Sequence, residues 1–329
     1  VKRPERLALA RLPTPLQPLD RLSETIGGPR IWIKRDDLTE GIGSGNKIRK
    51  LEFVLADALT QEADLVITSG GLQSNHCRAT ALCATRLGLQ CHLILRGQPQ
   101  KFGDGNLLLD HLLGATIQYA DASEFSDLDG TYLKVKKEYI NQGYSPYSVP
   151  IGASNALGLW GYIEASKELK ADYDLAKIKP SHLFVAVGSG GTFGGLLVGQ
   201  ALYGLPTELR GICVSENTTY FEKKIENDIA QWQHDFEGAL APKVKGLTEE
   251  YIGAGYGIGS NADFKTIQQV AKLEGIILDP VYTAKAFRGM IDCIKKEDIS
   301  GGDIVFLHTG GVYGLFPQMN RQQLSEFQQ

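Results

Sequence analysis

Short apolar runs alternate with helical periodicities along nearly the whole chain, and this alternation restricts the fold more than any other feature. Ile31–Lys34, Asp64–Thr68, Cys91–Leu95, Ala115–Tyr119 and Tyr147–Pro150 read as strands. So do Leu183–Val187, Gly211–Ser215, Gly275–Leu278 and Asp303–His308. Helical spacing is predicted over about 46–61, 74–87, 105–113, 123–141, 261–273 and 284–295. Strands that are apolar throughout and separated by helices imply parallel sheets covered on both faces. The expected class is therefore α/β, with two parallel-sheet βα lobes and a cleft between them. Ligands of such sheets bind at the carboxyl ends of the strands.

Composition narrows the function. A 329-residue chain with 43% hydrophobic residues can bury a core for one large or two medium domains. The net charge is −4 and no long run carries one sign, so nothing marks a nucleic-acid or anionic-membrane surface. No apolar stretch approaches the ~20 residues of a membrane span. The N-terminal segment carries Arg3, Glu5 and Arg6 before a proline-rich stretch and does not read as a signal peptide, although a prefix removed before Val1 stays open. Cys77, Cys83, Cys91, Cys213 and Cys293 are scattered, without a Cys-x-x-Cys, which fits reduced thiols and a cytoplasmic location. No histidine or cysteine spacing predicts a metal site.

Three glycine-rich loops carry the candidate chemistry. The loop Gly41–Gly45 runs into a helix that Asn46 is expected to cap, which puts Lys47 in the first turn. A cation there opposes the positive end of the helix dipole. An anionic partner, or an amine kept neutral and nucleophilic, would explain it, and both suit a Schiff-base lysine binding a phosphorylated carbonyl cofactor. The plain alternative is a solvated lysine beside Arg49 and Lys50. The second loop, Ser69–His76, follows a strand and opens a helix, so its backbone N–H groups with Gln73, Ser74 and Asn75 form an anion site; simple capping is the rival reading. The third, Gly188–Gly195, offers a phosphate nest with Ser189 and Thr192 as donors. Glu216 lies near where a ribose-binding acid would sit, which keeps a nicotinamide-binding reading open. Tyr282, Thr283 and Thr309 are placed at the same strand ends. Tyr256 rides a flexible glycine loop, Lys285 is expected to be a solvated helix residue, His76 to bond locally, and Cys77 to be buried.

Together these segments resemble the pyridoxal-phosphate enzymes of the D-cysteine desulfhydrase and 1-aminocyclopropane-1-carboxylate deaminase family, which have the tryptophan-synthase-β (type II) fold. The likeness runs from Arg11-Leu12-Pro13-Thr14-Pro15-Leu16 to His308-Thr309-Gly310-Gly311 and is carried by Gly45-Asn46-Lys47-x-Arg49-Lys50-Leu51, Gln73-Ser74-Asn75-His76 and Leu278-Asp279-Pro280-Val281-Tyr282. It implies a large cofactor-binding domain of residues 1–47 with 155–329, a small domain of residues 48–154, and a homodimer. It implies pyridoxal 5'-phosphate on Lys47, with Asn75 facing the phenolic oxygen and Ser189, Gly190, Gly191 and Thr192 around the phosphate. Gln73, Ser74 and Asn75 would receive the substrate carboxylate. Tyr256 and Tyr282 would act as acid, base or positioning groups. In the deaminases glutamate and leucine stand where this chain has Thr283 and Thr309, as the desulfhydrases do. A hydroxyl beside the pyridine nitrogen makes a weaker electron sink than a carboxylate. The resemblance thus implies β-elimination, converting D-cysteine and water to pyruvate, ammonia and hydrogen sulfide. Action on 1-aminocyclopropane-1-carboxylate or L-cysteate is the alternative.

Overall fold

A computed structural model describes residues 1–319 except 102, 241 and 297–298. In chain order the elements are β1 (Leu16–Pro18), α1 (Asp20–Ile26), β2 (Arg30–Lys34), α2 (Asn46–Thr60), β3 (Leu65–Gly71), α3 (Asn75–Leu87), β4 (Gln90–Arg96), α4 (Gly105–Leu112), β5 (Thr116–Ala120), α5 (Ala122–Ser126), α6 (Leu128–Asn141) and β6 (Pro146–Ser148). They continue with α7 (Trp160–Ala176), β7 (His182–Val187), α8 (Gly191–Tyr203), β8 (Glu208–Cys213), α9 (Thr218–Phe236), β9 (Leu247–Thr248), α10 (Asn261–Glu274), α11 (Thr283–Lys296) and β10 (Asp303–Leu307).

The strands form two sheets. The larger has the order β1-β2-β10-β7-β8-β9 and the smaller β5-β4-β3-β6. All pairings are parallel except β1 with β2. The strand of Ile31, Trp32 and Ile33 thus lies in the larger sheet, next to β10. Period-2 alternation divides each apolar strand between two cores. Leu183, Val185 and Val187 of β7, with Val305 and Leu307 of β10, face Trp160, Phe193 and Trp232. Phe184, Ala186, Ile304 and Phe306 face Phe287 and Met290 on the opposite side. Both faces are covered, which is why these strands read as unbroken apolar runs. Among the described residues no helix is long and apolar enough to cross a membrane.

Three expectations change. Gly275–Leu278 is not a strand: Gly275 closes α10 with φ +67°, and the following segment joins neither sheet. Ile276 and Leu278 are buried, so the apolar run recorded burial rather than strand pairing. The helix expected over 123–141 is two helices, divided at Asp127, whose backbone leaves the helical region and whose carboxylate accepts the Gly130 N–H to start α6. Asn46 is not a cap but the first residue of α2. The cap is Gly45 at φ +110°, where a Cβ would lie 2.7 Å from the Thr309 carbonyl oxygen.

A buried ionic cluster holds α2 in place. The Arg49 guanidinium donates to both Asp36 oxygens at 2.8 Å and to both Glu168 oxygens at 2.9 Å. Lys34 donates to Asp172 at 2.6 Å, and the Tyr162 hydroxyl to Asp36 at 2.6 Å. The end of β2, the start of α2 and α7 therefore converge next to the turn that carries Lys47.

Candidate active site

The helices α2, α3 and α8 begin at one cavity of about 850 Å³ between the sheets. Their free N–H groups make that space electropositive. Of the residues singled out in the sequence, Lys47, Gln73, Ser74, Asn75, His76, Ser189, Gly190, Thr192, Glu216, Tyr256, Tyr282 and Thr309 line it. Gly191 and Thr283 do not. Gly191 lies behind the lining, with its N–H donating to the Ser154 hydroxyl at 3.3 Å. Thr283 is buried, and its hydroxyl donates to Asp279 Oδ1 at 2.7 Å.

Lys47 is half-buried in the first turn of α2, as its spacing predicted. Its Nζ donates to Asn46 Oδ1 at 3.0 Å and lies 5.8 Å from the centre of the Tyr282 ring. Burial, and then the nearby Arg78 guanidinium, bring the Lys47 amine down to about 8, against a smaller upward pull from Asp279. A useful fraction is therefore neutral near physiological pH, as a nucleophilic lysine requires.

The loop after β7 forms the anion cradle. Gly190 caps α8 at φ +83°, and a Cβ there would press on Ile225 at 3.0 Å. Asn46 Nδ2 donates to the Thr192 hydroxyl at 2.9 Å, which ties the lysine turn to the cradle. Lys50 is fully buried beneath it, and its Nζ donates to the Ser154 hydroxyl, which also bonds Ser189 at 2.8 Å. Burial, then Lys47 and Lys224, push the Lys50 amine well below its ordinary range. An amine whose charged form is disfavoured in this way is one that a bound anion would help to protonate. The sequence reading gave Lys224 and Ser154 no role and took Lys50 only as a basic neighbour of Lys47 within the motif. Lys50, three residues after Lys47 on the same helix, carried the only available signal.

On the opposite wall Ser74 caps α3, its hydroxyl accepting the Cys77 N–H at 3.2 Å. Gln73 lines the cavity, but both ends of its amide are engaged by the start of α4: Oε1 accepts the Asn106 N–H, and Nε2 donates to the Asp104 carbonyl. His76 bonds locally through Thr68 at 2.8 Å, and burial first, then Lys47 and Lys50, hold it well below its usual range and hence neutral. Cys77 is buried, and burial raises its thiol above the ordinary range. Tyr256 and Tyr282 share a 2.7 Å hydrogen bond at the mouth, and burial raises both phenols, so both hold their protons at neutral pH. Thr309 follows the end of β10 and lines the cavity.

Lys285 overturns its expectation. It is 1% exposed, and its Nζ donates to the carbonyls of Ile252 at 2.7 Å and Gly255 at 3.1 Å. It therefore anchors the loop on which Tyr256 stands. Lys285→Met removes both bonds and is expected to lower kcat/KM about tenfold through misplacement of Tyr256, with Lys285→Arg recovering part of the loss. Steady-state kinetics on folded variants check this; unchanged kcat/KM in Lys285→Met would show that the loop needs no anchor.

The chain matches the family model described as "Pyridoxal-phosphate dependent enzyme" over residues 7–310. It is 44% identical to a Thermotoga maritima protein provisionally named 1-aminocyclopropane-1-carboxylate deaminase, across 96% of this chain and 99% of that one. It is 39% identical to a Salmonella newport D-cysteine desulfhydrase, across 94% and 95%. The solved structure of an ACC deaminase homologue superposes with a TM-score of 0.88 at 36% identity, covering 98% of this chain and 96% of that one. The donor set fits the cofactor of this family: an amine of lowered basicity for its aldehyde, a cation-backed glycine cradle for its phosphate, and an amide at Asn75 for its anionic oxygen. The nicotinamide alternative falls, since it leaves Lys47 without a task. The chain belongs to the pyridoxal-phosphate dependent enzyme family and is a lyase of its D-cysteine desulfhydrase and 1-aminocyclopropane-1-carboxylate deaminase branch.

Proposed function

We propose that the protein is a β-elimination lyase that converts D-cysteine and water to pyruvate, ammonia and hydrogen sulfide. The observation that carries this reading is that threonines, Thr309 on the lining and the buried Thr283, stand where a carboxylate would have to face the ring nitrogen. Asp279 is the nearest candidate by sequence, but its carboxylate is saturated by the N–H groups of Val281, Tyr282 and Thr283 and by the Thr283 hydroxyl. A hydroxyl does not favour protonation of the ring nitrogen as a carboxylate does. That suits loss of a good leaving group such as thiolate better than opening a cyclopropane ring.

Pyridoxal phosphate supplies the aldehyde that takes the substrate amine and the ring that accepts the electron pair released at Cα. The chain supplies the rest. The cradle of Ser189, Gly190, Gly191 and Thr192, backed by Lys50, holds the phosphate. Ser74 and the open N–H groups at the start of α3 hold the substrate carboxylate. The Lys47 amine takes the Cα proton once the substrate has displaced it. The Tyr256–Tyr282 pair holds a proton on the side where sulfide departs.

The homodimer and the reducing, cytoplasmic setting belong to the same reading, the latter supported by five cysteines of which none is in a disulfide. So does the division into residues 1–47 with 155–329 and residues 48–154, which is supported by the strand membership of the two sheets. The name of the Thermotoga relative favours 1-aminocyclopropane-1-carboxylate as the second reading. The test is to assay pyruvate and sulfide from D-cysteine beside ammonia release from 1-aminocyclopropane-1-carboxylate and L-cysteate, with the holoenzyme. A kcat/KM for D-cysteine at least tenfold above the others is expected. A higher value for either rival would remove the D-cysteine reading and leave the lyase family intact.

A further inference from the structure

Asn75 can present either end of its carboxamide to the cavity, and the two ends have opposite chemistry. Its surroundings decide which. Arg78, one turn further along α3, is fully buried, and a guanidinium can only donate hydrogen bonds. Its Nη1 donates to Asn106 Oδ1 at 2.9 Å and to Asn75 Oδ1 at 3.3 Å. Because the Asn106 oxygen faces Arg78, the Asn106 Nδ2 points the other way, and it donates to the Gln73 carbonyl at 2.9 Å and to Asn75 Oδ1 at 3.1 Å. The Gln73 carbonyl only accepts, so this orientation of Asn106 is fixed at both ends. Asn75 Oδ1 therefore faces two donors, and its Nδ2 is left toward the cavity that Asn75 lines. The third arm of the hub, Arg78 Nη2, donates to the Ser44 carbonyl at 2.7 Å, in the loop that leads to Lys47.

We propose that Arg78 and Asn106 are positioning residues that lock the Asn75 carboxamide with its Nδ2 toward the cofactor site, so that Asn75 acts only as a donor. This rests on the reading that Asn75 faces the anionic phenolic oxygen of the cofactor. A free carboxamide would sample both faces, and the flipped one sets oxygen against anionic oxygen. The lock removes that state without touching the ligand. It also couples the starts of α2, α3 and α4, because Ser44, Asn75 and Asn106 all bond one guanidinium. Neither Arg78 nor Asn106 lines the cavity, so sequence and pocket shape both leave them out.

The experiment is a double-mutant cycle on folded protein, read by the affinity of the apo-protein for pyridoxal phosphate and by the pH midpoint of the bound cofactor's absorption band. The groups facing that chromophore's lysine include Arg78, Asp279, Lys50, His76, Tyr256 and Tyr282, and the cycle on Asn75 and Asn106 changes none of them. Asn106→Leu and Asn75→Ala are each expected to weaken binding about tenfold and to move the midpoint in the same direction. The double variant should be no worse than Asn75→Ala alone, because Asn106 acts through Asn75. Arg78→Lys gives a second arm, read by affinity alone because Arg78 also acts on the Lys47 amine: an ammonium lacks the planar fork that reaches Asn75, Asn106 and Ser44, so it should reproduce part of the loss of affinity. Additive effects in the double variant, or a folded Asn106→Leu with unchanged affinity and midpoint, would overturn the proposal. If Asn75→Ala itself changed neither readout, the placement of Asn75 on the phenolic oxygen would fall first, and the lock with it.

Discussion

Lys47→Ala is expected to abolish turnover, by at least about 10³-fold, and to remove the absorption band of lysine-bound cofactor. The expectation follows from where the amine sits. Among the lysines on the cavity lining, Lys224 is engaged by Asp228 at 2.5 Å and by the Ser154 carbonyl, whereas Lys47 bonds only the neighbouring Asn46 side chain. Lys50 is fully buried and held against Ser154, so it cannot substitute. Lys47→Arg should fail as completely, because a guanidinium keeps the charge and never becomes a nucleophile. The pH dependence has a definite sign. With the amine at about 8, its neutral fraction grows as pH rises through that value. Uptake of pyridoxal phosphate by the apo-protein should therefore accelerate from pH 6 to 8 and level off above about 9. Stopped-flow absorbance measures it. A rate independent of pH, or an active Lys47→Ala variant, would contradict the role given to this residue.

Arg49→Met is expected to cost about 3–5 kcal/mol of stability, the loss typical when one partner of a buried ion pair is removed. Asp36 is wholly inaccessible and would be left with only the hydroxyls of Thr14 and Tyr162 as side-chain partners. Replacing Asp36 and Arg49 together by apolar residues should cost less than Arg49→Met alone, since no orphan charge remains. The cluster also predicts acid sensitivity. Burial alone would raise the Glu168 carboxyl, but Arg49 and Lys34 outweigh it and bring it from 4.5 down to about 2. A depressed carboxylate stabilises the fold above its unfolded value, and that contribution is lost as pH falls from about 4.5 toward 2. Asp172, which burial raises, works in the opposite direction on a smaller scale. Urea denaturation at pH 7 and pH 3 measures both effects. Equal midpoints for Arg49→Met and the parent protein would show that the cluster does not hold α2.

What was legible in the sequence was local. The apolar runs of β3, β4, β7 and β10 and the periodicity of α2 and α3 fixed the class, because both faces of each sheet are buried and patterning reports burial directly. The glycine loops after β3 and β7 were visible because glycine marks close approach of backbone to backbone or ligand. Gly275–Leu278 misled for the same reason: burial of Ile276 and Leu278 looks identical whether or not the backbone pairs. Lys285 shows the other limit. Its partners lie about thirty residues earlier in the chain, and a lysine beside no carboxylate in sequence reads as solvated. Asn106 and Ser154 are ordinary capping residue types, and their roles exist only once three chain segments meet.

The buried thiols bear on chemical durability. Burial pushes Cys83 and Cys213 up to about 12 and raises Cys77 and Cys91 as well, so at pH 7 these thiols stay protonated. Alkylating agents, peroxide and polysulfide all react through the thiolate. Cys77 lies directly under the loop that would hold the substrate, yet it is shielded both by its fold and by its proton. Of the five, only Cys293 is partly exposed, and it sits on α11, outside the cavity lining. Under the proposed β-elimination, sulfide would leave past four thiols that stay buried and protonated.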